Sequence, residues 1–264
     1  RKGLLRKNPY VATALVNMYA KCGILCKAHR LHYQLCSQSI VSWNALISGY
    51  AQCGKGHGAM ACFEQMQKQG IAPSITTFIC ILKACGSIGA IEKGEWIHDE
   101  IVNRGWMDRS LQLGNALVSM YAKCGALMRA KKVVEELSVR NVVTWSSLIA
   151  GYTQQGQGHE AIDCFVQMES EGISPNVVTF PCILRACGIV GDFDRGKHVH
   201  YGIVAKGLLE KNVVLGTALL DMYAKCGLMR EAQQVHDELY VHDVVSWSAL
   251  IAGYAQQGQG HDAL

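Results

Sequence analysis

The sequence predicts an all-α fold, a right-handed superhelical α-solenoid of stacked helix-turn-helix repeats. Three observations predict it: a fixed internal repeat, sub-units of helical-hairpin length, and the apolar periodicity of two short helices within each sub-unit. The six residues MYAKCG occur at 18–23, 120–125 and 222–227, and the interval is 102 residues both times. Repetition of this kind indicates supersecondary units that stack on their neighbours in a row.

The 102-residue repeat includes much more than this hexapeptide, and it divides into three parts. Segments 142–162 and 244–264 are identical at 16 of 21 positions. A unit of 102 residues is too long for one solenoid repeat, and variants of one theme, ALISGY, CILKACG and ALVSMYAKCG, recur inside it. The sub-units 40–74, 75–110 and 111–141 therefore have 35, 36 and 31 residues.

Each sub-unit is predicted to contain two helices. In 142–176, apolar residues recur at i, i+3, i+4 and i+7 from Trp145 and, after the sequence QQGQG, again from Ala161. Gly172 follows as the expected residue just past the helix end, with Pro175 beyond it. No stretch alternates with a period of two, so no sheet is expected. Because a short hairpin cannot bury its own apolar face, it must stack on its neighbours.

Composition sets broad limits on the function. Of the 264 residues 50% are hydrophobic, which argues against disorder, and the net charge of +4 permits a polyanionic partner without requiring one. No uninterrupted apolar run approaches the ~18–20 residues that span a bilayer, so no membrane partner is expected. The chain begins with Arg1 and shows no targeting segment, which predicts a piece of a longer protein.

The twelve cysteines follow the repeat. Nine of them are copies of four repeat positions set among apolar neighbours, and Cys22, Cys124 and Cys226 share one such position. This placement predicts buried free thiols in a reducing compartment, where cysteine acts as a small hydrophobic residue, rather than a disulfide framework.

Catalytic and metal-binding motifs are not found. Two His-x-Glu triplets occur at 98–100 and 236–238, but the zinc deaminase signature also needs a Cys-x-x-Cys pair, and the sequence has none. The triplets are interpreted as surface residues of second helices. The glycine-rich segment 54–58 lies between two helices and lacks a following Gly-Lys-Ser/Thr, so it is interpreted as a turn. The chain is therefore predicted to be no enzyme by itself and to need no metal or cofactor.

The rotation of 35, 36 and 31 residues, together with NALVSMYAKCG at 115–125, resembles the plant pentatricopeptide repeat family in its PLS subclass. Tetratricopeptide repeats are near neighbours, but they keep a constant length of about 34 residues. The resemblance covers the whole chain as a single array without separate domains. Its motifs are an L-type tail at 1–8, then S at 9–39, P at 40–74, L at 75–110, S at 111–141, P at 142–176, L at 177–212, S at 213–243 and a truncated P at 244–264.

This resemblance implies a sequence-specific single-stranded RNA-binding adaptor in a mitochondrion or chloroplast, with one base per P or S motif. Members of the subclass mostly select sites for C-to-U RNA editing, and their L-type motifs are thought to contact small proteins of the editing complex. A deaminase-like C-terminal domain in the full-length protein is left open. The alternative interpretation is a helical-repeat scaffold for protein–protein interaction without RNA specificity.

The candidate base-reading residues are the fifth residue of each P or S motif and the last residue of the same motif. Asn115 lies ~200° around its helix from Leu117, away from the apolar face, so a polar residue at this position offers a hydrogen-bonding group on every turn of the array. The resemblance implies the pairs Thr13 with Ser39, Asn44 with Ser74, Asn115 with Asn141, Ser146 with Asn176, and Thr217 with Asp243, and it leaves Ser248 without its partner. The L-type fifth residues, Ile79 and Pro181, cannot read a base edge through a polar side chain, so the bases under these motifs are left open. The implied target is 5′-R-C-N-Y-A-N-G-R-3′.

Lys21, Lys123 and Lys225 are candidate phosphate contacts. Each lies eight residues after a fifth position, ~12 Å along the helix axis, where it can reach a passing RNA backbone. A lysine near a helix C-terminus also favours the helix dipole, and the two roles are compatible.

Overall fold

The structure is a computed structural model that describes residues 9–35, 38–209, 212–239 and 244–258. Within these ranges the chain forms fifteen α-helices, one short 3-10 helix at Met107–Arg109 and no strand, which confirms the predicted all-α class. The contacts divide the chain into two compact units, Arg1–Arg140 and Asn141–Leu264, and each is considered separately. The predicted organisation as a single array of motifs with the bounds given above stays a prediction.

Both units consist of helical hairpins in which short turns join helices of 9 to 14 residues. The first unit contains α1 Pro9–Lys21, α2 Leu25–Tyr33, α3 Ile40–Gln52, α4 Gly56–Lys68, α5 Ile75–Ile88, α6 Ile91–Asn103, α7 Leu111–Lys123 and α8 Leu127–Glu136. The second unit contains α9 Val142–Gln154, α10 Gly158–Ser170, α11 Thr179–Val190, α12 Phe193–Ala205, α13 Val213–Lys225, α14 Met229–Glu238 and α15 Val244–Gln256.

The hairpins stack through their first helices. In the first unit α1 packs on α3, α3 on α5 and α5 on α7, and each of these helices also packs on the second helix of its own hairpin. The second unit repeats this order from α9 through α11 and α13 to α15. Each hairpin therefore buries its apolar face against the next one, as predicted, and the first helices form a row within each unit.

The predicted apolar faces form the core. Trp145 and Leu148 on α9 and Phe165 on α10 are at most 2% exposed, and Gly172 adopts the left-handed φ of 73° expected just past a helix end. The buried indole of Trp145 is not left unpaired, because its Nε1 donates to Glu171 Oε2 at 3.0 Å. The helix periodicity read from this part of the sequence is thus confirmed.

The cysteines confirm the prediction of buried free thiols only in part. Cys62 and Cys187 are buried, and burial raises the pKa of each thiol to about 12, so both are kept protonated. Cys124 is half-buried with its Sγ 3.8 Å from the Cys85 carbonyl oxygen of the preceding hairpin. The prediction was wrong for Cys22, Cys26 and Cys53, which are exposed. Cys22 differs from Cys124 because no described hairpin precedes it and covers it.

The interpretation of the His-x-Glu triplets as surface residues was wrong for His236 and holds only in part for His98. His236 is 2% exposed and packs edge-on against Trp247, with ring centroids 4.4 Å apart. His98 is half-buried, and its Nδ1 lies 3.0 Å from the Tyr121 hydroxyl of the next hairpin. Within the described ranges no three His, Cys, Asp or Glu side chains are arranged to hold a metal ion, and no helix has the length and apolar character needed to cross a membrane.

Candidate functional site

The predicted fifth residues all lie on the first helices of their hairpins. They are Thr13 on α1, Asn44 on α3, Asn115 on α7, Ser146 on α9, Thr217 on α13 and Ser248 on α15. Four of them are half-buried and Ser248 is exposed, but Ser146 is only 5% exposed, so its hydroxyl is less accessible than the sequence predicts. Since the first helices of a unit pack side by side, their fifth residues follow one another along the same row.

In the first unit the structure brings three of the predicted residues to one cavity. Thr13, Ser39 and Asn44 line a space of about 750 Å³ between neighbouring first helices. Tyr10 and Val41 line the same cavity, although they are 85% and 60% exposed. Hydrogen-bonding groups and exposed apolar side chains thus face the same space.

The exposed apolar side chains at the second motif position are candidate functional residues that the sequence reasoning missed. They are between 49% and 85% exposed and comprise Tyr10, Val41, Val143, Val178, Val214 and Val245. Their signal was present in the sequence, because an apolar residue recurs next to the helix start, off the face that is buried in the core. A row of exposed apolar groups is unusual on a surface that has no ligand.

The last residues that the structure describes in these pairs have a second role, because their side chains accept backbone N–H groups where the next motif begins. The Ser39 side chain accepts a hydrogen bond from the Ser42 backbone N–H, and Ser74 accepts one from Thr77. Asn141 and Asn176 each accept two backbone N–H groups in the same way. Helix capping favours Ser, Asn and Asp, so it also explains the residue types at this position.

The Asn44 and Ser74 side chains are in direct contact. Asn44 Nδ2 donates to Ser74 Oγ at 3.3 Å, and Thr77 Oγ1 donates to Asn44 Oδ1 at 2.6 Å. Thr77 is fully buried and belongs to the next hairpin. The fifth and last residues of the motif 40–74 therefore lie in one hydrogen-bonded cluster with a residue that the sequence analysis did not single out.

Ser146 and Asn176 are linked through a third residue rather than directly. The Ser146 hydroxyl donates to the Val142 carbonyl at 2.6 Å and lies 2.7 Å from Thr179 Oγ1. Thr179 Oγ1 lies 3.1 Å from Asn176 Oδ1, which also accepts the Thr179 backbone N–H. Since its oxygen is occupied by the helix cap, Asn176 can offer a ligand chiefly its amide N–H groups.

Two of the remaining fifth residues form hydrogen bonds within their own helices. Thr217 and Ser248 donate their hydroxyl protons to the backbone carbonyls of Val214 and Val244. Asp243 lies outside the described residues. The pairing of Asn115 with Asn141 stays a prediction.

Lys21, Lys123 and Lys225 are exposed and end the helices α1, α7 and α13. Lys225 forms an ion pair with Asp221, with 2.7 Å between Nζ and Oδ2. The stem of Lys123 crosses α5 at Gly86, where a Cβ would lie 3.3 Å from the lysine Cδ. The missing side chain at Gly86 therefore leaves room for the stem to lie across the preceding hairpin while the charged end stays exposed.

Comparison with known protein families agrees with this architecture. The model of the PPR repeat family matches residues 38–87 and 140–188, and that of the PPR repeat matches 115–142, 217–243 and 245–264. Together the matches cover more than half of the chain. The chain belongs to the pentatricopeptide repeat family.

Curated pentatricopeptide repeat proteins of one plant are similar to this chain over nearly its whole length. A chloroplastic pentatricopeptide repeat-containing protein of Arabidopsis thaliana is 34% identical over 263 residues, which is 100% of this chain and 42% of the relative. A mitochondrial one from the same plant is 37% identical over 249 residues, 94% of this chain and 36% of the relative. The chain spans about a third to a half of the length of the curated relatives it matches.

Solved structures show the same fold. The crystal structure of the pentatricopeptide repeat protein PPR10 from maize matches with a TM-score of 0.79 at 18% identity, over 97% of this chain and 38% of PPR10. PPR10 in complex with an 18-nt psaJ RNA element matches equally well. At this identity the likeness shows the fold, and the assignment to the PLS subclass stays a prediction.

Proposed function

We propose that this chain is a sequence-specific single-stranded RNA-binding adaptor for organellar RNA processing. The observation that carries the proposal is the cavity in which Thr13, Ser39 and Asn44 lie beside the exposed side chains of Tyr10 and Val41. An unpaired base presents a polar Watson–Crick edge and two apolar faces, and proteins that read single strands bind both. A base pair hides that edge, so the site fits a single strand.

Each P or S motif reads one base through its fifth and last residues. The contact between Asn44 and Ser74 supports this reading, because Ser74 helps to position the Asn44 amide that meets the base. The L-type motifs, with Ile79 and Pro181 at the fifth position, have no polar side chain there to read a base, so their two bases are left open, and they contact small proteins of an editing complex. The resulting target is 5′-R-C-N-Y-A-N-G-R-3′, with the N-terminus of the protein toward the 5′ end.

The lysines that end α1, α7 and α13 bind the RNA backbone. Lys21 and Lys123 are exposed, and the ion pair of Lys225 with Asp221 is half-exposed. An exposed ion pair of this kind is worth only ~0–1 kcal/mol, so a phosphate competes with Asp221 for Lys225. Phosphate contacts add affinity that is independent of sequence and sensitive to salt.

Several relatives support the cellular setting of the proposal. The names of the Arabidopsis relatives place them in chloroplasts or mitochondria, and PPR10 is solved with an RNA element. We infer an organellar location for this chain from them. Recognition of sites for C-to-U editing is the most specific form of the proposal, and it rests on the rotation of motif lengths.

A binding experiment separates RNA recognition from a protein scaffold. The chain is titrated against RNA that carries the target, against a scrambled single strand and against the target in a duplex, and bound fractions are measured by filter binding. We expect the target strand to bind more tightly than the scrambled strand and the duplex. A chain that binds no single-stranded RNA would contradict the proposal and favour the scaffold.

A further inference from the structure

The residue type at the third position of each motif correlates with the residue type at the fifth position of the motif before it. Where that fifth residue is polar, the third residue carries a hydroxyl: Ser42 follows Thr13, Thr77 follows Asn44, Thr144 follows Asn115, Thr179 follows Ser146 and Ser246 follows Thr217. Where it is apolar, the third residue is leucine: Leu113 follows Ile79 and Leu215 follows Pro181. All of the third-position Ser and Thr side chains are 0% exposed.

Helix capping does not explain this pattern. Ser42 and Thr77 do complete capping boxes at the starts of α3 and α5. The helices with leucine at the third position, however, are capped by Ser110 and Asn212 alone and reach the same 13 residues as α3. A buried hydroxyl is thus dispensable for starting the helix, and it costs free energy unless it is hydrogen-bonded.

Distances around Asn44 show what one of these hydroxyls does. Thr77 Oγ1 lies 2.6 Å from Asn44 Oδ1, and Asn44 Nδ2 lies 3.3 Å from Ser74 Oγ. A hydroxyl donates to an oxygen at about 2.5–3.0 Å, whereas an N–H group donates at about 2.7–3.2 Å, so the 2.6 Å contact fits an O–H donor and the 3.3 Å contact is a long N–H hydrogen bond. The reversed amide would put its nitrogen at the short distance and its oxygen at the long one. The carbonyl therefore faces Thr77, which is fully buried, and the amide nitrogen faces Ser74, which is half-buried.

The hydrogen-bond count leaves one donor for a ligand. Thr77 Oγ1 accepts from the Ser74 backbone N–H and the Ser74 hydroxyl and donates to Asn44. Ser74 Oγ accepts from the Thr77 backbone N–H and from Asn44 Nδ2. These bonds use every donor and lone pair of both hydroxyls, so neither hydroxyl can also bind a base. Asn44 keeps a second N–H group, and its side chain lines the cavity.

We infer that Thr77 is a specificity-determining positioning residue: it holds the Asn44 amide with its nitrogen toward the RNA, so that this motif accepts cytosine and rejects uracil. The inference rests on the proposed function. Cytosine has a lone pair at ring nitrogen N3, which accepts the Asn44 N–H group, whereas uracil has an N–H group there and the two donors oppose each other. Thr77 acts through Asn44 and touches no RNA itself.

The test compares two RNAs that differ only in C or U at the second target position. The native chain is expected to prefer C by about ten-fold, in line with other good base contacts. In Thr77→Val the shape of the side chain is kept but the hydroxyl is lost. The freed amide can then turn its oxygen to uracil, so the two dissociation constants should come within about two-fold of each other, mainly because U binds more tightly.

Two control variants separate orientation from capping. Thr77→Ser keeps the hydroxyl and should keep the preference for C. Ser42→Ala removes the corresponding hydroxyl of the capping box at α3 but leaves both hydrogen-bond partners of Asn44 in place, so it should also keep the preference at the second base. Far-UV circular dichroism checks that each variant is folded, and Thr77→Ala serves as a second hydroxyl-free variant.

The outcomes distinguish this inference from the proposed function. A native chain that binds single-stranded RNA but does not distinguish C from U overturns the inference, and so does an unchanged C-to-U ratio in folded Thr77→Val or Thr77→Ala. A loss of preference in Ser42→Ala equal to that in Thr77→Val also overturns it. In all three cases RNA binding itself stands. A native chain that binds no single strand overturns the proposed function, and the inference with it.

Discussion

Replacing Gly49 by alanine should loosen the stack of first helices that carries the candidate site. Gly49 on α3 faces Ala20 on α1, and a Cβ at Gly49 would lie 2.6 Å from the Ala20 Cβ and 3.1 Å from its Cα. Carbon atoms in contact are normally about 3.5–4.0 Å apart. Because the neighbour is backbone and its attached methyl group, no side-chain rotation can relieve the clash, and the two helices must separate by roughly 1 Å.

Two opposing effects set the expected change in stability. Overpacking a close contact costs about 1–3 kcal/mol, whereas alanine is favoured over glycine inside a helix by about 1 kcal/mol. Because the Ala20 backbone cannot move aside on its own, the overpacking cost is expected in the upper part of this range, about 2–3 kcal/mol, so Gly49→Ala should lower the free energy of unfolding by about 1–2 kcal/mol. For a chain of this size that corresponds to roughly 2–6 °C in melting temperature.

The assay is thermal and urea unfolding followed by far-UV circular dichroism, with Gly202→Ala as the matched control. Gly202 lies inside α12, and a Cβ there meets nothing within 4 Å, so this variant should gain about 0.5–1 kcal/mol from helix propensity. A Gly49→Ala chain as stable as the native one, or a Gly202→Ala chain that loses as much, would refute the reasoning. Since α1 and α3 carry Thr13 and Asn44, Gly49→Ala should also weaken RNA binding.

Three further predictions concern charge. Asp243→Asn should move the base preference at the seventh target position from G toward A by roughly 1–3 kcal/mol, because an ionised carboxylate only accepts hydrogen bonds whereas an amide also donates. Gel shifts with each of the four bases at this position measure the preference, and an unchanged ranking would contradict the prediction. Lys123→Ala should weaken binding to all RNAs alike and reduce the salt slope by about 0.7, while Lys131→Ala on the second helix of the same hairpin should leave both unchanged. Burial, with the nearby charge of His29, lowers the pKa of His32 to about 4. The unfolded chain therefore binds a proton that the folded chain excludes between about pH 6.5 and 4, and stability falls as the pH drops through that window; His32→Phe should flatten this fall in a series of melting curves.

The helices and the repeat could be predicted from the sequence because both are local or periodic. The buried face from Trp145 follows from a spacing of three and four residues, and the positive φ of Gly172 follows from its place after the last apolar turn. Stacking was also predictable, since a two-helix hairpin leaves its apolar face uncovered. The position of Asn44 on the first helix of its hairpin, away from the core face, follows from the same periodicity.

Only the tertiary structure decided how buried each of these side chains is and which hydrogen-bond partners it has. Ser146 is almost fully buried while Asn44, at the same repeat position, is half-buried. The amide of Asn44 is hydrogen-bonded by Thr77, 33 residues later in the chain, and the Ser146 hydroxyl meets Thr179 of the next hairpin. Such contacts depend on distances of a few tenths of an ångström between hairpins, and on which donors are already used. Periodicity places a residue on a face of a helix, but it does not determine which atom of that residue is left for a ligand.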